Sequence, residues 1–417
     1  MRVTAALLSQ AAAALEQILA FSGPADQALS RYFRDHRQLG QRERAFVAEA
    51  AFAVLRRKRS LEAAAGSAAP AALLAAALLR VLGFSGRSLQ GLVEEPLLAR
   101  IRAARSDVLP DAVRADLPDW AWERLLAQYG GDEAMRIAQG LLNAAPLDLR
   151  VNLARVSREE ALERLAKDGL EGSATPYSPA GIRLAGKPAI NRHALFEDGL
   201  IEVQDEGSQI LAWLLAPRRG EMVADYCAGA GGKTLAIAML MRGAGRIYAM
   251  DVSAKRLAAL APRAARAGVS SIHPLVLSGD NDARVKRLAG KLDRVLVDAP
   301  CSGFGTLRRN PDLKWRHGAD AVAELAAKQQ RILGSAARLV KPGGRLVYAT
   351  CSILQEENEA VATAFQARHP GFAPLSCKTL LAAQHIEIDT GEYLRLWPHS
   401  HGTDGFFAAA FEKKTLP

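Results

Sequence analysis

Up to about residue 110, apolar residues recur every three or four positions. The stretches ALLSQAAAALEQIL, ADQALSRYFRDH, QRERAFVAEAAFAVLRRKRSLEAAA and AALLAAALLRVLGF each gather them on one face of a helix. Gly23-Pro24, Gly40, Pro70 and Gly83 interrupt the pattern where helices would break. This spacing predicts an all-α domain over 1–116. Over 117–206 the texture changes: DLRVNL, GIRLAG and LIEVQDE have the look of strands. SREEALERLAKDGL reads as a helix capped by Ser157, and HALFEDG as a short one. A small α+β module is expected there.

From 207 to 417 short apolar runs alternate with amphipathic ones. MVADY, RIYAMD, HPLVLSGD, RVLVDAP and GRLVYATC are predicted strands. TLAIAMLM, SAKRLAALAPRAARAG, ARVKRLAG and AVAELAAKQQRILGSAARLVK are the helices between them. Strands separated by helices imply a parallel sheet covered on both faces, so the fold class is α/β, Rossmann-like. EYLRLWP and GFFAAAFE, with no helix foreseen between them, are expected to form an antiparallel C-terminal hairpin.

Charge adds a partner class. The 417 residues carry a net charge of +10, and the pI is near 9.6. Arg31, Arg34, Arg37, Arg42, Arg44 and Arg56 to Arg59 (with Lys58) crowd the helical part. Such clusters neutralise phosphates without reading bases, which favours RNA, although a merely solvated helical face has the same look. No run of about 18 apolar residues occurs, so no membrane span is expected. Gln10, Glu16 and Gln17 interrupt the first apolar stretch, unlike a signal core. Four cysteines spread over the chain fit reduced thiols in the cytoplasm. No self-complementary apolar stripe stands out, and a monomer is expected.

In an open parallel sheet, ligands sit beyond the carboxyl ends of the strands. Four predicted strands end in Asp225, Asp251, Asp280 and Asp298. Taken singly, each could merely cap the next helix; together they outline a cleft. After the first comes ADYCAGAGGKT, which misses the phosphate loop because Cys227 replaces its opening glycine. It misses the dinucleotide fingerprint because Thr234 stands at the sixth position. The loop Cys227, Ala228, Gly229, Ala230, Gly231, Gly232, Lys233 would admit a nucleoside closely, with Asp251 on the ribose and Arg256 beside it. An acidic cleft disfavours a triphosphate and suits a cation, which points to S-adenosyl-L-methionine. VDAPCSGFGTLRRNPDLKWR and YATCSIL then put Cys301 and Cys351 just past the fourth and fifth strands, on one rim.

These motifs resemble those of the RsmB/Sun (NSUN-type) RNA cytosine-5 methyltransferases over nearly the whole chain. The match is tightest in DAPCSGFGTLRRNPDLKW with ATCS, and looser in RAFVAEAAFAVLRR. The resemblance implies a NusB-like RNA-binding domain at 1–116 and a class I methyltransferase core of seven strands at 207–417. It implies a ribosomal RNA substrate, of the small subunit, and no metal; the alternatives are transfer RNA as the substrate, or a non-catalytic RNA-binding ribosome assembly factor, against which the two thiols speak. It also implies roles. Cys351 would attack carbon 6 of cytosine, Asp298 would hold the base, Cys301 would assist release, and Lys233 would line the pocket. DNA cytosine methyltransferases instead use a Pro-Cys cysteine, here Pro300-Cys301; ATCS favours Cys351. The family has proline at Ala230, and its absence relaxes the turn. RRNPDLKW, with Arg308, Arg309, Lys314 and Trp315, is read as a grip for an unstacked base. Cys377 is expected to be packing, and His399 with His401 a fold-closing pair rather than a metal site.

Overall fold

The computed structural model describes residues 3–279 and 282–415, in two compact units. One runs to Ala144 and takes back Thr306–Ala319; the other comprises Ala145–Gly305 and Asp320 onward. The predicted strand end Asp280 lies outside the described residues. No single helix among those described is long and apolar enough to cross a membrane.

The first unit is all helix. Ala5–Leu19, Ala25–Asp35, Gln41–Arg56, Lys58–Ala65 and Pro70–Arg80 enclose a core that includes Leu15, Val47, Val54, Leu73 and Leu78. The Thr4 hydroxyl caps the first of them, accepting from the Leu7 amide at 3.2 Å, and Pro70 opens the last. Two further helices, Asp119–Tyr129 and Gly131–Leu141, carry this unit beyond residue 116.

The returning segment 306–319 is bound through helix ends. Lys314 Nζ donates to the Arg56 carbonyl at 2.7 Å and Trp315 Nε1 to that of Leu55 at 2.8 Å. Those are the last carbonyls of Gln41–Arg56, which have no partner within the helix. Asp312 meanwhile accepts from the Ala25 amide, at the start of Ala25–Asp35, at 3.3 Å. A cation at a helix C-terminus and a carboxylate at an N-terminus both complement the dipole. The base-gripping reading of Lys314 and Trp315 is therefore corrected. Lys314 is buried, its ammonium and the indole N–H of Trp315 are committed to backbone carbonyls, and Arg308 is buried too.

The second unit holds two sheets. β1 (Leu147–Val151), β2 (Gly172–Ala174), β3 (Gly181–Leu184) and β4 (Ile201–Val203) form an antiparallel sheet in the order β2-β3-β1-β4. Ser157 caps the helix Arg158–Lys167 as its sequence predicts. Asp148, buried on β1, accepts from Arg183 Nε at 2.7 Å and Nη2 at 2.9 Å.

The larger sheet comprises β5 (Met222–Asp225), β6 (Arg246–Asp251), β7 (Ile272–Val276), β8 (Leu292–Asp298), β9 (Val340–Thr350), β10 (Phe372–Leu375), β11 (Leu394–Leu396) and β12 (Phe406–Lys413). Its order is β10-β12-β9-β8-β5-β6-β7. β5 to β9 are parallel, while β12 runs antiparallel to β9. β11 pairs with Phe406–Ala408 of β12 and β10 with the stretch beyond, so two short strands share one edge position. Seven strand positions result, as the family resemblance implies. The foreseen pairing of β11 with β12 is present, but its connection contains a helical turn, Pro398–His401, with Pro398 at its first position.

Alternate side chains explain the layering. On β8 and β9, Val295, Val297, Leu346 and Tyr348 meet the helices Ala319–Ala337 and Glu359–Arg368. Leu296, Val347 and Ala349 face Glu206–Leu215 and Gly232–Leu240. The order reverses at β5, with β8 on one side and β6 on the other, and the cleft lies at the carboxyl ends there.

Burial pushes the Lys314 ammonium down from 10.5 to about 7, against the pull of Asp116. Between those values the unfolded chain binds the extra proton, so folding gains stability as pH rises. Urea unfolding should show the wild type gaining stability relative to Lys314→Met as pH is raised above about 7. Parallel curves for the two proteins would refute this.

Candidate active site

The chain leaving β5 turns at Gly229 and Gly231, whose φ values are 55° and 83°. That left-handed region favours glycine, and at Gly231 a Cβ would also lie 2.2 Å from Leu260 Cδ1. Helix Gly232–Leu240 follows. Its Thr234 hydroxyl donates to Asp225 Oδ2 at 2.7 Å, tying the helix start to the strand end. Asp225 is buried, and its other oxygen has no hydrogen-bond partner. Burial pushes its carboxyl up to about 7, and the charges of Asp298 and Asp251 push the same way.

Asp251, at the end of β6, binds the glycine turn. Its Oδ2 accepts from the Gly229 amide at 2.9 Å; its Oδ1 accepts from the Ser253 amide at 2.7 Å and from Arg256 Nη2 at 3.1 Å. The Ala230 carbonyl accepts from Arg263 Nη1 at 2.6 Å, so the turn is braced without proline. At the end of β8, Asp298 Oδ2 accepts from Lys233 Nζ at 2.6 Å. Burial opposes the lysine's charge, but the Asp298 carboxylate outweighs it and holds the ammonium above its ordinary range.

The two thiols meet. Cys301 Sγ and Cys351 Sγ are 3.3 Å apart, on loops leaving the paired strands β8 and β9. The hydrogen bond to Cys351 and burial both raise the Cys301 thiol well above the usual cysteine range, so Cys301 keeps its proton. Buried Glu357 fastens both loops: Oε1 accepts from the Ser302 amide at 2.8 Å and from Gln329 Nε2 at 3.0 Å, and Oε2 accepts from the Ser302 hydroxyl at 2.5 Å. Gln329 also donates to the Pro300 carbonyl at 3.0 Å. On the other loop, Asn358 Nδ2 donates to the Ser352 carbonyl at 3.0 Å, and the Gly305 amide donates to that of Cys351 at 2.9 Å.

These residues open onto one cavity of about 700 Å³, contained in the second unit. Cys227, Ala228, Gly229, Ala230, Gly232, Lys233, Asp251, Arg256, Asp298, Cys301 and Cys351 all line it. Gly231 shapes the turn from behind. Burial and the surrounding carboxylates raise the Cys227 thiol well above its usual range, so it is a neutral wall. Cys377 is buried against other helices and does not reach the cavity. His401 Nδ1 accepts from the Trp397 amide at 3.0 Å, and no cluster of three metal-ligating side chains occurs among the described residues.

Sequence reasoning missed Gln204, Ser208, Arg263, Leu277, Lys328 and Ile332, which also line the cavity. Gln204 and Ser208 lie in EVQDEGSQ, and Lys328 and Ile332 are one helical turn apart; periodicity alone would have made the last two a surface and a core position. Arg263 pairs with Glu202, Lys233 with Asp298 and Arg256 with Asp251.

Residues 212–412 match the family described as 16S rRNA methyltransferase RsmB/F, and 117–191 match the ferredoxin-like domain of RsmF/B-like methyltransferases. Ribosomal RNA small subunit methyltransferase B of Sodalis glossinidius is 35% identical over 351 residues, 83% of this chain and 78% of that protein. The chain belongs to the RsmB/F methyltransferase family. Among solved structures, PH0851 superposes with a TM-score of 0.81 at 27% identity, covering 99% of this chain and all of that one. A methyltransferase homolog protein from Pyrococcus horikoshii gives 0.63 at 30% identity, covering 74% of this chain and all of its own.

The cofactor of the RsmB/F family is S-adenosyl-L-methionine. The residues present fit it. The glycine turn lets the backbone come close to a nucleoside, the Asp251 carboxylate stands at the end of β6 where ribose hydroxyls are taken, and the cavity volume suits an adenosine with a second ligand.

Glu357→Ala would strip the Ser302 amide of its acceptor and leave the Ser302 hydroxyl only Ser352 and the Gln329 amide only Pro300, at about 1–3 kcal/mol for each unsatisfied donor. Chemical denaturation should show a loss of about 2 kcal/mol or more. An unchanged midpoint would mean that this carboxylate does not hold the loops.

Proposed function

We propose that this protein is an S-adenosyl-L-methionine-dependent RNA cytosine-5 methyltransferase acting on small-subunit ribosomal RNA. The observation that carries the reading is the 3.3 Å approach of two thiols on the rim of a cavity that also holds the glycine turn and three carboxylates. The substrate class follows from the family and from relatives named for small-subunit ribosomal RNA.

Carbon 5 of cytosine is a poor nucleophile until something adds to carbon 6. The Cys351 thiolate forms the carbon 6–sulfur bond and sends the double-bond electrons toward carbon 5. Asp298 takes the exocyclic amino protons of the base. Lys233, one hydrogen bond away, supplies positive charge against the electron density that develops around nitrogen 3. Bound S-adenosyl-L-methionine supplies an electrophilic methyl group. The Asp251 carboxylate takes the ribose hydroxyls, Arg256 steadies that carboxylate, and the turn from Ala228 to Gly232 lets the backbone approach the nucleoside. Release requires the carbon 5 proton to leave and the carbon 6–sulfur bond to break. Cys301, still protonated and in contact with the departing sulfur, hands its proton to Cys351 as the carbon 6–sulfur electrons return to that sulfur, and the thiolate left on Cys301 takes up the carbon 5 proton, whose bonding electrons restore the carbon 5–carbon 6 double bond.

Cys351→Ala should abolish methyl transfer to bulk RNA while keeping cofactor affinity within a few-fold. Cys301→Ala should accumulate a covalent protein–RNA adduct, seen as a slow-migrating band on denaturing gels. The reverse pattern of trapping would exchange the two roles. Asp251→Ala should weaken cofactor binding about tenfold or more, the worth of a charged hydrogen bond, read by calorimetric titration. Bisulfite sequencing of ribosomal RNA with and without the protein tests the substrate: loss of one methylated cytosine in the small subunit is the expected result.

A further inference from the structure

Cys301 and Cys351 stand in sulfur-to-sulfur contact at 3.3 Å, half-buried, in a cavity large enough for small solutes. A disulfide needs about 2.05 Å between the sulfurs, so an approach of about 1.3 Å would close it. The backbone beneath keeps them facing. β8 pairs with β9 up to Asp298 opposite Ala349, the Ala299 amide donates to the Ala349 carbonyl at 2.9 Å, and the Gly305 amide donates to the Cys351 carbonyl at 2.9 Å.

We propose that Cys301 and Cys351 are a site of reversible oxidation, closing to an intramolecular disulfide on exposure to hydrogen peroxide. The thiolate of one cysteine attacks the peroxide oxygen, so that a sulfur–oxygen bond forms and the oxygen–oxygen bond breaks. One water leaves, taking up a proton, and a sulfenic acid remains. The neighbouring sulfur then attacks the sulfenic sulfur. The sulfur–sulfur bond forms, the sulfur–oxygen bond breaks, and hydroxide departs with the second thiol's proton as another water. Two thiols and one hydrogen peroxide thus give one disulfide and two waters. A small dithiol reverses the change by exchange, leaving as its own disulfide.

The arrangement selects this pair over the other thiols. Cys377 is fully buried against the Ala408 carbonyl, on a different helix layer. Cys227 lines the cavity but has no sulfur among its hydrogen-bond contacts in the described residues. Because the partner sulfur is already in contact, it intercepts the sulfenic acid before a second peroxide can carry it to the irreversible sulfinic acid. The inference holds whichever cysteine attacks the base, and even if neither does.

The test follows thiol state rather than methyl transfer, so its failure is distinct from failure of the proposed activity. The full-length protein is treated with hydrogen peroxide, alkylated with iodoacetamide and digested without reduction. The wild type should yield one peptide pair linked through Cys301 and Cys351, two fewer alkylated cysteines, and full recovery of both after dithiothreitol. Cys301→Ser should instead convert Cys351 to sulfinic acid on the order of tenfold faster than the wild type does, without recovery. Cys227→Ser should form the same linked pair as the wild type. Absence of the linked peptide, or equal rates of sulfinic acid formation with and without Cys301, would overturn the proposal.

Discussion

Parallel pairing of β8 with β9 makes the chain leave both strands at the same sheet edge, side by side. Everything at the candidate site depends on what happens in the next few residues. Two loops of free chain would sample many positions; here a single buried carboxylate, Glu357, takes donors from Ser302 and Gln329, and Gln329 in turn holds Pro300. A buried acceptor with all its donors present is rigid, because every departure leaves a polar group unsatisfied. The contact between the sulfurs is the product of that rigidity.

Electrostatics completes the cavity. Burial, helped by the nearby charges of Asp298 and Asp251, pushes the Asp225 carboxyl up to about 7. Lys233 answers Asp298, and Arg256 answers Asp251. The first pair is largely buried and therefore poorly screened, whereas Arg256 is more than half exposed and its charge is screened by solvent. What remains is a cavity whose carboxylates and cations largely neutralise one another.

Much of this was legible from residue order. The helical front, the alternating core, the strand ends at Asp225, Asp251 and Asp298, and the convergence of Cys301 with Cys351 follow from periodicity and from where loops leave a parallel sheet; the third strand stops at Val276, short of the predicted end. Ser157 was legible as a cap because capping is local. Glu357 and Gln329 were not, since a polar residue inside an apolar helix pattern does not reveal which distant amide it will meet. Lys314 and Trp315 were misread for a related reason. Basic and aromatic neighbours do suit a nucleic acid base, but they suit the carbonyl end of a helix equally well, and only the tertiary fold chooses between them.

That choice constrains how the chain could be divided or recombined. The segment from Thr306 to Ala319 departs from the α/β body only a few residues after Cys301, yet its buried lysine and its indole find their acceptors on Gln41–Arg56. A fragment lacking the front helices would carry an ammonium and an aromatic ring with nothing to receive them, on a strand of chain tethered to the reactive loop. A foreign front domain would serve only if it offered two bare carbonyls at a matching helix end. The two units are thus not interchangeable cassettes, although they fold around separate cores.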